Sequence, residues 1–261
     1  MNREASKKLE SFFRALGGAP MSLLLLDYDG TLAGFRLDRF KARPWAGVSE
    51  LLAKIQRQDR TRIGVITGRP AIEIPPMLGL DAPPEVWGLH GAQRLFPNGR
   101  IKLEKPSPGT RARLDTLRRQ LTRDAFGGLF EDKPNAAVMH WRGRSRKQAR
   151  AIASRTRTLF EPLAKLDGLR LLEFESGLEL RTGRDKGGAI RAIMREVGPV
   201  PVTYLGDDLT DEAGFRAVNE AKGPHLSVLM RRAWRTTDAD VWLKPPVELR
   251  SFLKRWIEAG G

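Results

Sequence analysis

Cysteine is absent from the 261 residues. That excludes disulfides, thiolate metal sites, iron–sulfur clusters and a cysteine nucleophile. Histidine is scarce, and His90, His140 and His225 are too few for a multi-histidine zinc site. Long apolar runs are also missing. The best of them, Leu23–Leu26, covers four residues and stops at Asp27. It falls far short of the ~20 residues that span a bilayer and is too short for a signal-peptide core. The chain is therefore expected to be cytoplasmic, with no membrane partner. Internal repeats and low-complexity segments are lacking too.

Acidic residues are in deficit, 31 against 46 Lys and Arg, so the formal net charge is +15. Such a balance is the usual footprint of a nucleic-acid binder, and it also steers small anions such as sugar phosphates. The one dense basic stretch runs from Arg142 through Arg144, Arg146, Lys147, Arg150 and Arg155 to Arg157. Its apolar residues Ala149, Ile152, Phe160 and Leu163 recur at helical spacing, which makes the cations the wet face of an amphipathic helix. No RNP aromatics, zinc finger or GxxG clamp accompany it. The expected partner is a small molecule, not nucleic acid.

What is present is a rhythm of short apolar runs and helical segments in a chain long enough for a sizeable core. Ser22–Leu26, Arg62–Ile66 and Glu85–Leu89 read as strands buried on both faces of a parallel sheet. Pro97-Asn98-Gly99 between short apolar segments signals a hairpin over Gln93–Leu103. Helices are expected over 2–16, 48–58, 110–125, 145–166, 185–197, 209–221 and 246–259. The middle of the chain pairs strands Leu129–Lys133, Ala136–Arg142, Leu169–Glu175 and Leu178–Arg181 in an antiparallel-looking module. The core rhythm then resumes with strands Val202–Leu205, Leu226–Met230 and Val241–Leu243. A self-contained insertion in an open α/β sheet is most simply a lid over the carboxyl ends of its strands, where such sheets bind ligands.

Four places at those strand ends or helix starts carry chemistry. Asp27-Tyr28-Asp29-Gly30-Thr31 sets two carboxylates at i and i+2 before a glycine turn. They could bind a hard cation or serve as nucleophile and general acid, or simply form an Asx turn. Thr67-Gly68-Arg69 ends the second strand with a hydroxyl and a cation suited to an anion, although an ordinary strand exit reads the same way. Lys186 after Asp185 opens a helix against its dipole and so wants an anionic partner, or is a solvated first-turn lysine. Gly206-Asp207-Asp208-Leu209-Thr210-Asp211-Glu212 packs four carboxylates into six residues. That is more than capping needs and is a reason to expect a divalent cation. Together these four stations fall on one edge of one sheet.

In this order, Asp27-x-Asp29-Gly30-Thr31, Thr67, Lys186 and Gly206-Asp207-Asp208 resemble the four motifs of the haloacid dehalogenase (HAD) superfamily over about residues 20 to 245. A finer resemblance is to trehalose-6-phosphate phosphatases. It is carried by Leu26–Leu32, Gly88-Leu89-His90-Gly91-Ala92, Glu131-Asp132-Lys133, His140-Trp141-Arg142, Glu179-Leu180-Arg181, Asp185-Lys186-Gly187, Gly206–Glu212 and Asp240–Leu243. Trp141 stands where that family more usually has Tyr, and Thr182 where it has Pro.

The resemblance implies a Rossmann-like α/β HAD core with a parallel sheet, residues 1–105 and 178–261. It also implies an inserted α+β cap of the C2B type, residues 106–177. It makes Asp27 the nucleophile and Asp29 the general acid and base, with Thr67 and Lys186 on the phosphoryl oxygens. Mg2+ would be held by Asp27, the Asp29 carbonyl and Asp207, with Asp208, Asp211 and Arg69 supporting them from behind. His90, Gly91, Glu131, Lys133, His140, Arg142 and Glu179 would bind a sugar. The activity expected is hydrolysis of trehalose 6-phosphate to trehalose and phosphate by a monomer. Another sugar phosphate, for example a glycosyl-phosphoglycerate, is the nearest rival. A non-catalytic basic nucleic-acid binder is the alternative of a different class.

Overall fold

Four consecutive leucines in Ser22–Leu26 (β1) need two apolar surfaces, because neighbouring side chains on a strand point to opposite faces. A computed structural model of the chain describes residues 3–36, 38–123, 129–133, 135–166 and 168–260. Leu24 and Leu26 pack into one core and Leu23 and Leu25 into another, all fully buried. Burial of this kind stabilises by about 1.5–3 kcal/mol per side chain.

The elements before and after β1 supply the two surfaces. Helix α1 (Arg3–Gly17) precedes it; α2 (Val48–Arg57), β2 (Thr61–Ile66), α3 (Ile74–Leu78), β3 (Glu85–Gly88), β4 (Gln93–Leu95) and β5 (Ile101–Leu103) follow. The inserted stretch holds α4 (Pro108–Arg123), β6 (Phe130–Lys133), β7 (Ala136–His140), α5 (Arg146–Ala164), β8 (Leu169–Phe174) and β9 (Gly177–Thr182). The chain ends with α6 (Lys186–Val197), β10 (Val202–Gly206), α7 (Glu212–Asn219), β11 (His225–Met230), β12 (Val241–Leu243) and α8 (Val247–Glu258).

Two compact units result, Met1–Lys102 with Arg184–Gly261 and Leu103–Gly183. The first is built on an eight-stranded sheet in the order β12-β11-β10-β1-β2-β3-β4-β5. It is parallel from β12 to β3, and β4 runs antiparallel to β3. Helices α1, α2 and α8 cover one face, through Phe12, Phe13, Leu52, Phe252 and Trp256. Helices α6 and α7 cover the other through Ile190, Ile193 and Phe215. In register, Leu26 lies beside Leu205 of β10 and Val65 of β2. The residues that follow these three strands therefore emerge side by side at the carboxyl edge.

The second unit is a four-stranded antiparallel sheet, β6-β7-β9-β8. Met139, Leu178 and Leu180 face Leu117 of α4 and Phe160 of α5 in a core of their own. Helix α5 starts with a Ser145–Gln148 capping box. No described helix is long and apolar enough to cross a membrane.

Three local expectations change. The return to the core expected at residue 178 falls inside β9, whose residues through Thr182 pair with β7 or β8, so the second unit runs to Gly183. Helix α3, with Pro75 and Pro76 in its first turn, is too short to show a periodic pattern and was not expected. The helix expected over 209–221 begins as a 3-10 turn, Leu209–Asp211, before α7. The expected helix positions 2 and 124–125 lie outside the described residues.

Candidate active site

Strand β1 ends directly in Asp27, 4% exposed, whose N–H donates to the Leu205 carbonyl at 2.8 Å. The chain then turns within three residues, with Leu32 N and Ala33 N both donating to the Tyr28 carbonyl. Gly30 sits in that turn at φ +84°, where a Cβ would also overlap the Asp207 carboxylate. Glycine is required there on both counts, and its absent side chain is what lets Asp207 approach Asp27.

Asp207 leaves β10 as Asp27 leaves β1, and is equally buried. Lys186, the first residue of α6, reaches between Asp27 and Asp211. Its Nζ donates to Asp27 Oδ1 at 2.6 Å and to Asp211 Oδ1 at 2.6 Å, with the lysine 3% exposed. Asp185 caps α6 by accepting from Gly188 N at 2.7 Å. A Cβ at Gly187 would collide with the Ala213 carbonyl, so α6 lies close against α7. Asp211 is fully buried and saturated. Its Oδ2 accepts from the N–H groups of Asp207 at 2.8 Å and Asp208 at 2.9 Å, and Oδ1 also accepts the Tyr204 hydroxyl.

The electrostatics follow from three buried carboxylates around one ammonium. Burial first, then the other acids, pushes Asp27 from 3.8 up to about 8 against the pull of Lys186. Burial and the charges of Asp27 and Asp211 raise Asp207 well above the ordinary carboxylate range. Asp211 goes the other way: burial opposes its charge, but Lys186 and its hydrogen bonds outweigh it and hold it low. Lys186 is raised, its burial overcome by the Asp211 and Asp27 carboxylates.

A divalent cation fits this set. Oxygen atoms of Asp27, Asp207 and Asp211 lie within 4.8 Å of one another. Asp207 Oδ1 is buried and without a hydrogen-bond partner, and an all-oxygen donor set suits a hard ion such as Mg2+.

A second group adjoins the first. Asp29 is gripped by Arg69, Nε to Oδ2 and Nη2 to Oδ1 at 2.6 Å each. Such a two-pronged pair fixes the plane of the carboxylate as well as its place. Arg69 itself is held by the Arg39 carbonyl at 2.7 Å and lies over the Tyr28 ring. Thr67 is buried at the end of β2. Its Oγ1 accepts from Arg69 N, and its carbonyl accepts from His90 N at 2.8 Å. Leu89 and His90 both have positive φ, and the turn they form brings the His90 ring onto Gly68. Gly91, at φ +107°, lies against Ala189 and the Asp185 carbonyl.

Asp27, Lys186, Asp207 and Asp211 thus form one cluster, and Asp29, Arg69, Thr67 and His90 another along the same edge. Asp208 and Asp211, both expected as supporting residues, make different contacts. The Asp208 carboxylate accepts from Leu209 N at 2.7 Å and caps the following turn, and Asp211 is the one that holds Lys186.

Of the expected sugar-binding residues of the second unit, Glu131, Lys133, His140 and Glu179 share one sheet face, and Arg142 lies in the turn after β7. Register places Glu131 opposite Val138 and Glu179, and Lys133 opposite Ala136 and Arg181, with His140 two residues beyond Val138. Asp132 points to the helical side and pairs with Arg118 at 2.7 Å. Glu131 bonds His140 at 2.8 Å, Lys133 bonds Glu179 at 3.1 Å, and Arg142 Nε donates to Ser176 Oγ at 3.4 Å.

Three residues were missed. Tyr204 supports Asp211, and a tyrosine inside an otherwise apolar strand is a hint of a buried partner. Arg235 donates to the Asp208 carbonyl at 2.7 Å and pairs with Glu212 from a loop with no sequence signal. Arg181 is fully buried on the polar face beside Glu179, and alternation from Glu179 could have found it.

Residues 25–241 match the family model described as trehalose-phosphatase. A trehalose-phosphate phosphatase of Mycobacterium marinum is 28% identical over 253 residues, covering 90% of this chain, which spans 61% of that protein's length. A trehalose-6-phosphate phosphatase-related protein of Thermoplasma acidophilum is 30% identical over 236 residues, covering 89% of this chain and 95% of that one. The solved C-terminal domain of a Candida albicans trehalose-6-phosphate phosphatase superposes with a TM-score of 0.77 at 20% identity, over 97% of this chain and 96% of that one, and shares the fold. With a match that runs from the end of β1 through β10 and takes in every residue of the buried carboxylate–lysine cluster, the chain belongs to the trehalose-phosphatase family.

Proposed function

We propose that this protein is a Mg2+-dependent phosphatase that hydrolyses trehalose 6-phosphate by way of a phosphorylated Asp27. The observation that carries the reading is the placement of Lys186 Nζ between Asp27 and Asp211, 2.6 Å from each, beside a buried Asp207 oxygen without a partner. Asp27 attacks phosphorus, and the new Asp27–phosphorus bond forms as the bond to the sugar oxygen breaks. Asp29 gives its proton to that leaving oxygen. In the second step Asp29 takes a proton from water, which attacks phosphorus and releases phosphate and free Asp27. Arg69 fixes the position and plane of Asp29 for both proton transfers. Lys186 and Thr67 hold the phosphoryl oxygens in line. Mg2+, held by the Asp27 and Asp207 carboxylates and the Asp29 carbonyl, would neutralise charge on those oxygens.

The unit Leu103–Gly183 acts in this reading as the lid. Glu131, Lys133, His140, Arg142 and Glu179 present donors and acceptors to sugar hydroxyls, and His90 and Gly91 do so from the core. Phosphate release from trehalose 6-phosphate, other sugar phosphates and a glycosyl-phosphoglycerate, with Mg2+ or EDTA, tests the reading. The expected result is Mg2+-dependent turnover fastest with trehalose 6-phosphate. A faster rate on another member of the panel would reassign the substrate. No phosphate from any of them, with retention on a DNA column, would favour the nucleic-acid alternative.

A further inference from the structure

A cavity of 520 Å³ lies beside α6, between that helix, the start of β10 and the end of α7. It runs along α6 from Gly188 to Gly198 and is closed by the segments before β10 and after α7. At 1.5 Å of rise per residue that is a groove about 15 Å long, and its volume is in the range of small-molecule sites. Met194, Val200 and Ala221 line it, apolar residues that the neighbouring core leaves only partly buried.

The charges around it can be assigned one by one. Arg191 and Glu220 neutralise each other through two hydrogen bonds of 2.9 Å. Glu196, next on α6, is engaged by Arg94 and Arg62. Arg195 and Lys222 also line the cavity, and neither forms an ion pair among the described residues. Against these two cations stand the carbonyl ends of α6 and α7, each equivalent to roughly half a negative charge. The remainder is close to one positive charge beside an apolar groove.

We propose that this cavity is a binding site for a small amphipathic monoanion. An apolar body would lie on Met194, Val200 and Ala221, and a single anionic head would meet Arg195 and Lys222. The site is separate from the phosphatase reading and stands or falls without it, although Lys186 opens the same helix.

Two dyes of nearly the same shape provide the test on the full chain. One is 8-anilinonaphthalene-1-sulfonate, a monoanion, and the other is the neutral N-phenyl-1-naphthylamine. Fluorescence titration is expected to show one sulfonate dye per chain, bound at least ~5-fold more tightly than the neutral dye. The double variant Arg195→Glu, Lys222→Glu should weaken the sulfonate by a similar factor and leave the neutral dye unchanged. Ala221→Phe should weaken both by filling the groove. Thermal unfolding of each variant checks its fold, and the exposed charge reversal serves if Ala221→Phe does not fold. Equal affinity for the two dyes overturns the proposal. So does no binding of either, or sulfonate binding indifferent to the charge reversal.

Discussion

Replacing Asp27 by Asn should abolish turnover and yet make the metal-free protein more stable. In the folded chain the Asp27 carboxyl holds its proton up to about pH 8, chiefly because burial disfavours the charge, against an ordinary value of 3.8. The sign is opposite to that of a salt-bridged acid. Below pH 3.8 both states are protonated and the group is neutral to folding. Between 3.8 and 8 the unfolded chain releases a proton that the folded chain keeps, so stability falls as pH rises through that window. At pH 7 the interval above 3.8 is about three pH units, worth about 4 kcal/mol at 1.36 kcal/mol per unit. Lys186, Asp207 and Asp211 share the titration, so roughly 2–4 kcal/mol is the range to expect. Asparagine keeps the shape without the charge and should recover that amount. For a unit of this size it corresponds to a rise of ~4–16 °C in Tm. Thermal unfolding in EDTA at pH 7 and pH 4 measures it. The gain should be present at pH 7 and nearly gone at pH 4, while phosphate release falls by at least ~10²-fold. An Asp27→Asn variant no more stable than its parent at pH 7, or a gain that persists at pH 4, would refute the electrostatic reasoning. Near-normal turnover would refute the covalent step.

Three further outcomes follow from the same geometry. Mg2+ must displace the protons that burial holds on Asp27 and Asp207, so binding at pH 7 should release at least about one proton, and affinity should weaken by about tenfold or more per pH unit below 8; calorimetry in two buffers of different ionisation enthalpy counts the protons, and none released would contradict the raised carboxyls. Arg69→Lys should cut kcat ~10-fold or more with little change in Tm, because a lysine cannot grip both Asp29 oxygens, and unchanged kcat would remove Arg69 from the positioning of Asp29. Glu131→Ala and Lys133→Ala should each lower kcat/KM for trehalose 6-phosphate by ~10-fold or more and leave a small aryl phosphate nearly unaffected; equal losses on both substrates would show that these residues only hold the second sheet together.

Much of this was legible in the order of residues. A run such as Leu23–Leu26 can be satisfied only by a strand with both faces covered, and the first charged residue after it must emerge at the sheet edge. The same reasoning applies at Thr67 and Asp207, so the convergence of Asp27, Thr67, Lys186 and Asp207 on one edge was readable before any coordinates. Local signals also placed the caps of α5 and α6, since Ser145 with Gln148 and Asp185 before Lys186 are short-range chemistry. Partner choice was not readable in this way. That Arg69 closes on Asp29, that Asp211 rather than Asp208 takes Lys186, and that Tyr204 backs Asp211 all depend on which side chains meet across strands far apart in sequence. The limit of the second unit at Gly183 likewise rests on hydrogen bonds from β9 to β7 and β8. A strand's apolar pattern shows that it is buried, whereas its neighbours are selected by register and by the competition of every other strand for the same edge, which only the folded chain resolves.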